Sequence, residues 1–172
     1  MLFFMIRYIL LVSGLLICLS LFSQQKCDSP SLSKTDQVLL QNFWIQFKEA
    51  INNKDKTKLA NLCRFPFNCD YCVLDSNNSN DKPYIKVTKT LFGRSQYKIF
   101  LTERLIKEVN KHNLPDDISI FQPYYNTVDK KCSFSFSYIV VEENMHHPGM
   151  QHFFDIQKVN NQFKIISTWT IP

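Results

Sequence analysis

From Lys131 to Val141 polar and apolar residues alternate, Lys-Cys-Ser-Phe-Ser-Phe-Ser-Tyr-Ile-Val-Val. A period of two sends Phe134, Phe136, Tyr138 and Val140 to one face of a strand. Two further runs, His152–Val159 and Phe163–Ile171, flank Asn160-Asn161. That dipeptide tolerates positive φ and suits a tight hairpin. A shorter strand is expected over Ile118–Gln122. The second half of the chain is therefore an antiparallel meander with an aromatic face, and such a face has to be covered.

The cover comes from the first half. Leu40, Phe43, Trp44, Phe47, Ala50 and Ile51 recur at helical spacing, with Ser33 placed to cap the helix and Asp36 three residues on. Asp55 can cap a short second helix carrying Leu59, Leu62 and Cys63, which Pro66 stops. Tyr84-Ile-Lys-Val reads as a short strand. Thr88–His112 is helical in two pieces around Gly93, with Phe100, Leu101, Leu105, Ile106 and Val109 inward and Leu114-Pro115 ending it. Helices first and a meander second predict an α+β fold, with N-terminal helices packed on a strongly curved, mostly antiparallel sheet.

The first 23 residues do not belong to that domain. Arg7 followed by Tyr8-Ile-Leu-Leu-Val and Leu15-Leu-Ile-Cys-Leu has the charged start and apolar core of a secretory leader, with Ser23 offering a cleavage point. Tyr8–Phe22 is shorter than the ~20 residues a membrane span needs. The expected organisation is a signal peptide over 1–23, a polar linker over 24–34 and one domain over 35–172, exported to a periplasmic or extracellular space. Cleavage takes the formal charge from +5 to +4 by removing Arg7. A charge so mild, with both signs interspersed, does not resemble a nucleic-acid footprint. Three glycines in 172 residues leave no glycine-rich phosphate loop.

Cleavage also removes Cys18 and leaves five cysteines: Cys27, Cys63, Cys69, Cys72 and Cys132. Cys63, Cys69 and Cys72 crowd one stretch. In the cytosol Cys69-x-x-Cys72 would suggest zinc or a redox pair. In an oxidising compartment a local bond from Cys63 to Cys69 or Cys72 is expected, with at least one thiol left over. The loop-like Val-Leu-Asp-Ser-Asn-Asn-Ser-Asn after Cys72 argues against thioredoxin-type chemistry, which places the pair at a helix start.

With these elements in order, Phe43-Trp-Ile-Gln-Phe-Lys-Glu-Ala-Ile-Asn-Asn-Lys-Asp and Leu59-Ala-Asn-Leu-Cys-Arg-Phe-Pro-Phe resemble the opening helix pair of the nuclear transport factor 2-like superfamily. Phe154-Asp-Ile-Gln-Lys-Val-Asn-Asn-Gln-Phe-Lys-Ile-Ile resembles its final hairpin. The resemblance spans most of residues 35–172 through pattern and element order, without a diagnostic motif. It implies a bent sheet closed by helices over an apolar pocket, and often a homodimer. Members include ketosteroid isomerase, scytalone dehydratase, polyketide cyclases and exported proteins of no established activity, so fold alone selects no chemistry.

Catalysis in such a cone needs an acid or base facing an apolar pocket. Asp155 falls on the strand face opposite Phe154 and Ile156, where a solvated carboxylate is expected. His152 is expected beside Trp169, on the face of Phe154, Ile156, Phe163 and Ile165, either as a base at the pocket mouth or as a structural histidine. Tyr138 could offer its hydroxyl to a ligand. The expected pocket lining is Phe47, Tyr138, His152, Phe154 and Trp169. No serine triad, H-E-x-x-H or carboxylate pair at metal spacing occurs, so no cofactor is expected.

The Met145–His152 turn holds three His and two Met, which in an even-loop register would gather Met145, His147, Met150 and His152 as soft ligands. An odd loop, such as His146–Met150, sets Val140 against Ile156 and joins the apolar faces. Burial favours the odd loop and no metal site. The leading reading is an exported, non-catalytic module binding a small apolar ligand or a protein partner. The alternative is a lyase, isomerase or hydrolase using His152 with Tyr138 or Asp155.

Overall fold

The computed structural model describes residues 27, 32–72, 84–112, 120–127 and 129–171. The expected leader, and most of the linker, lie outside the described residues.

Helix α1 (Lys34–Asn52) starts where Ser33 accepts a hydrogen bond from the Asp36 amide at 3.0 Å. Its buried side is Leu40, Phe43, Trp44, Phe47, Ala50 and Ile51, as the spacing predicts. Asp36 also pairs with Lys158 at 2.6 Å, tying the start of the helix to the sheet. Asp55 caps α2 (Lys56–Asn61) by accepting from the Lys58 amide at 2.9 Å. This helix ends at its C-cap Leu62, four residues before Pro66, so Pro66 does not stop it and lies instead inside a strand.

That strand, β1 (Cys63–Cys69), is not foreseen by the sequence reading. It pairs antiparallel with β2 (Ile85–Val87), which is expected. The stretch expected as two helices is three pieces: α3 (Lys89–Arg94), a 3₁₀ turn over Gln96–Leu101, and α4 (Glu103–Lys111). Gly93 sits within α3, and the break falls at Ser95, while Thr88 and Thr102 cap α3 and α4. Of the strand expected at Ile118–Gln122, residues 118 and 119 lie outside the described residues. Gln122 is the first residue of β3 (Gln122–Asn126).

β4 (Lys131–Val141), β5 (Met150–Val159) and β6 (Gln162–Ile171) form the meander. Asn160 and Asn161 adopt φ of 48° and 62°, so the hairpin closes as expected from two residues that accept the left-handed region. The six strands form one unclosed sheet in the order β2-β1-β6-β5-β4-β3, antiparallel except for β1 beside β6. Registers shift within the β1–β6, β4–β5 and β5–β6 pairs, and such bulges bend strands.

The β4–β5 pairing keeps the expected faces but not the expected partners. Phe134, not Val140, lies opposite Ile156, with Phe136 opposite Phe154 and Tyr138 opposite His152. The partner of Ile156 moves by six residues, an even number, so no side chain changes face as far as Ile139; a register shift then sets Val141 opposite Met150. The connection is correspondingly longer than the His146–Met150 loop, running from Glu142 to Gly149 between the strands.

The aromatic face of the sheet meets α1 and the 3₁₀ turn. Trp44 contacts Phe121 and Phe136 edge-on at 5.4 and 5.0 Å between ring centroids. Phe154 touches the rings of Phe47, Phe100, Phe136 and Tyr138 at 5.3–6.4 Å. These rings pack against one another on the face where the resemblance implies a pocket.

Candidate functional site

At the end of this aromatic column the lining becomes polar. Tyr138 on β4 faces His152 across the strand pair, and Tyr138 Oη and His152 Nδ1 share a hydrogen bond of 3.2 Å. The same hydroxyl lies 3.5 Å from Thr102 Oγ1, whose side chain also caps α4. On its other side His152 stacks on Tyr71, with ring centroids 3.7 Å apart and planes 15° from parallel.

Tyr71 is held there by a short covalent ring. Cys69 and Cys72 form a disulfide, and Asp70 between them accepts hydrogen bonds from the backbone amide and hydroxyl of Thr170 at 2.8 and 3.2 Å. The loop is thus pinned to both β1 and β6. A second disulfide joins Cys27 to Cys132. Cys63 is buried and unbridged, which corrects the expected bond from Cys63 to Cys69 or Cys72. Cys63 opens β1 and lies opposite Ile165 facing the core, whereas Cys69 and Cys72 close on each other at a Cα separation of 5.6 Å. Burial raises the Cys63 thiol pKa and keeps it protonated.

Burial also sets the protonation states at this end of the column. It lowers the His152 pKa, against a smaller opposing pull from Asp70, so the imidazole is neutral near pH 7. It raises Tyr138, with the Thr102 contact opposing, and raises Tyr71 well above the ordinary tyrosine value. A neutral imidazole bonded to a protonated phenol can take up or relay a proton only if a substrate reaches them. Tyr138 is 4% exposed and the column behind it is solid with rings.

The other expected site residues separate. Phe47, Phe154, Tyr138 and His152 form one continuous set of ring contacts. Trp169 does not join them. Ile166 is an extra residue in β6, between the pairs Ile156–Ile165 and Asp155–Ser167. The insertion sets Thr170 opposite His152 and turns Trp169 to the far face, stacked on Phe153 at 4.1 Å.

Asp155 lies on the far face, as expected, but it is not solvated. It is 7% exposed, and its Oδ2 accepts from Ser167 Oγ at 2.6 Å and Trp169 Nε1 at 3.0 Å. It therefore cannot join His152, because the two side chains leave β5 on opposite sides. The sequence reading also missed Tyr71, Asp70 and Thr102. The Cys-x-x-Cys spacing was the one available signal for the first two, since a bridge across it fixes whatever lies between.

The turn between β4 and β5 gathers no metal ligands in the manner of the even-loop register. Met145 is 96% exposed, His147 Nδ1 accepts from the Gly149 amide at 3.0 Å, and His152 is engaged by the two tyrosines. Among the described residues no group of three or more His, Cys, Asp or Glu is placed to hold a metal ion. No helix among them is long and apolar enough to cross a membrane.

No family model matches this chain, and no curated protein matches it. Among solved structures it is similar to a designed protein whose title carries the NTF2 fold name, at 10% identity and a TM-score of 0.37, over 77% of this chain and 96% of that one. The architecture built above is an α+β fold, with helices on the aromatic face of one bent, unclosed, mostly antiparallel sheet.

Proposed function

We propose that this chain is an exported, non-catalytic module whose partner is a protein engaged around the mouth of the cone. The packing of the interior carries this reading: the rings of Trp44, Phe47, Phe100, Phe136 and Phe154 touch one another on the face where an apolar ligand would sit. A small apolar ligand, the other occupant considered, would have to displace core side chains at several kcal/mol each. Export is supported by the leader-like first residues and by two disulfides, which persist in oxidising compartments.

Beside the mouth runs a groove of about 570 Å³ lined by Arg104, Lys107, Lys111, Tyr138, Glu142 and others. Its mixed charge suits the polar rim of a protein interface better than an apolar ligand. Cross-linking in the native compartment, read by mass spectrometry, tests the reading. Links from Lys107 or Lys111 to a second polypeptide are expected, and Arg104→Glu with Lys107→Glu should abolish them. A homodimer would appear as links between two copies of the same peptide. A stoichiometric apolar molecule retained in native mass spectra, with no protein links, would contradict it and return the function to the interior.

The enzyme alternative rests on one observation, the bonded Tyr138–His152 pair. It requires a substrate-driven opening of the ring column. Turnover of any ester, ketone or hydroxy-acid probe that is lost in His152→Gln, with the fold retained, would favour it.

A further inference from the structure

The sheet face away from the helices holds a second, unrelated arrangement. One row of directly paired residues crosses all six strands: Gln122, Ser135, Asp155, Ser167, Asn68 and Lys86. Paired residues share a face, so this is one polar strip from edge to edge, with neighbouring strands about 4.8 Å apart. Its middle is buried and its ends are exposed. In a lone sheet face the bland expectation is scattered solvated groups; a buried carboxylate is costly unless its position is needed.

The Lys86 end of the strip opens into a cleft of about 560 Å³, lined by Arg64, Asn68, Lys86, Asn126, Asp129 and Ser167 beside the apolar Pro66 and Ile166, while the Phe65 ring turns into the core against Phe67 and Phe92. Ser167 is the link between cleft and strip. It donates to Asp155, so its lone pairs are left to accept from whatever occupies the cleft. Asp155 Oδ1 and Ser135 Oγ are buried without a well-formed hydrogen bond among the described residues, with the Tyr124 hydroxyl in the field of the carboxylate.

The lining selects a chemical class. A free anion would meet Asp129 with Asp155 behind Ser167, and a cation would meet Arg64 and Lys86. An apolar molecule would strip water from two amides and four charged or hydroxyl groups without replacing it. A neutral ligand with closely spaced hydroxyls and apolar ring faces matches both the mixed donors and acceptors and the apolar pair of Pro66 and Ile166. The open shape suits a chain rather than a single small ring.

We infer that this cleft is a binding site for a neutral polyhydroxylated chain of the carbohydrate class, with Asp155 as the positioning residue for Ser167. The site is separate from the cone mouth, so it does not rest on the function proposed above.

The test is an NMR titration of the full chain, with its disulfides formed, using cellohexaose, maltohexaose and chitohexaose, and a sulfated oligosaccharide as the anionic control. At least one neutral hexasaccharide is expected to shift the amide resonances of Asn68, Lys86 and Ser167 and leave those of Lys107 and Lys111 unmoved. Asn68→Ala should weaken that binding about tenfold, the effect of one lost hydrogen bond of ~1.4 kcal/mol. Asp155→Asn should weaken it by misorienting Ser167 while the near-ultraviolet circular dichroism of the tryptophans is retained. Should that variant unfold, Ser167→Ala tests the same contact. Absence of shifts with all three neutral sugars would overturn the inference, as would binding confined to the sulfated chain. So would shifts at these residues that follow protein concentration alone, the mark of a second copy on this face.

Discussion

Phe154→Ala probes the packed ring column directly. Phe154 is 1% exposed and its ring meets four others, Phe47, Phe100, Phe136 and Tyr138. Truncation removes the transfer free energy of the benzyl group and leaves a void that rings fixed on β4, α1 and the 3₁₀ turn cannot collapse to fill. Comparable substitutions in rigid cores cost about 3–5 kcal/mol. For a domain of this size each kcal/mol moves the melting midpoint by about 4 °C, so a fall of about 12–20 °C is expected. Urea unfolding followed by tryptophan fluorescence measures the same loss, with the midpoint lower and the slope unchanged. The void is apolar and enclosed, so the variant should regain part of its stability in the presence of benzene, which the parent chain should ignore. A loss below ~1.5 kcal/mol, or stabilisation of the parent by benzene, would mean that the column is not packed and that the interior is a pocket after all.

Three further outcomes follow from other contacts. Because burial lowers the His152 pKa below its ordinary 6.5, the unfolded chain binds more protons there; stability contributed by the neutral ring is full above that value and lost as pH falls towards the folded pKa. The difference in unfolding midpoint between the parent and His152→Gln should therefore change between about pH 7 and 5 and stay flat above it, as a pH series of melts would show. Ser33→Ala and Asp55→Ala each remove a helix cap and should cost about 1 kcal/mol by denaturant unfolding, with the Ser33 variant leaving the Asp36–Lys158 pair in place. Opening the Cys27–Cys132 bond with paired serines should cost about 4–5 kcal/mol, against about 2 kcal/mol for the Cys69–Cys72 bond, because the first closes a separation of 105 residues and the second a separation of 3.

Local signals were legible where they are strong and self-contained. The spacing of Leu40 to Ile51, the caps at Ser33 and Asp55, and the Asn160-Asn161 turn all need only neighbouring residues to be recognised. β1 was missed because its seven residues follow a helix directly, include Pro66, and are stabilised by β6, which lies about a hundred residues on. The bulge at Ile166 has no marker of its own in the sequence, and it alone moved Trp169 out of the expected lining and set Thr170 across from His152. The cysteines show the same limit: spacing suggested a local bond, but which sulfur faces the core depends on strand direction, and that gave Cys63 to the interior. Asp155 was placed on the correct face and assigned the wrong environment, because the polar strip around it is assembled from all six strands.

The Cys27–Cys132 bond also determines how the domain carries mechanical load. Cys27 precedes α1, and its sulfur is fixed to β4, a strand flanked on both sides in the sheet. Tension applied to the chain ahead of Cys27 passes through the sulfur bridge into β4 and does not act on α1, whose capping contacts at Ser33 would otherwise be the first to yield. With the other grip on β6, the pull is resisted through the β4–β5 and β5–β6 ladders together. Reduction reroutes the same tension along the backbone into α1. A force-extension trace of the oxidised chain should then show one high-force event, and the reduced chain should add an earlier, weaker one as the helix peels from the sheet.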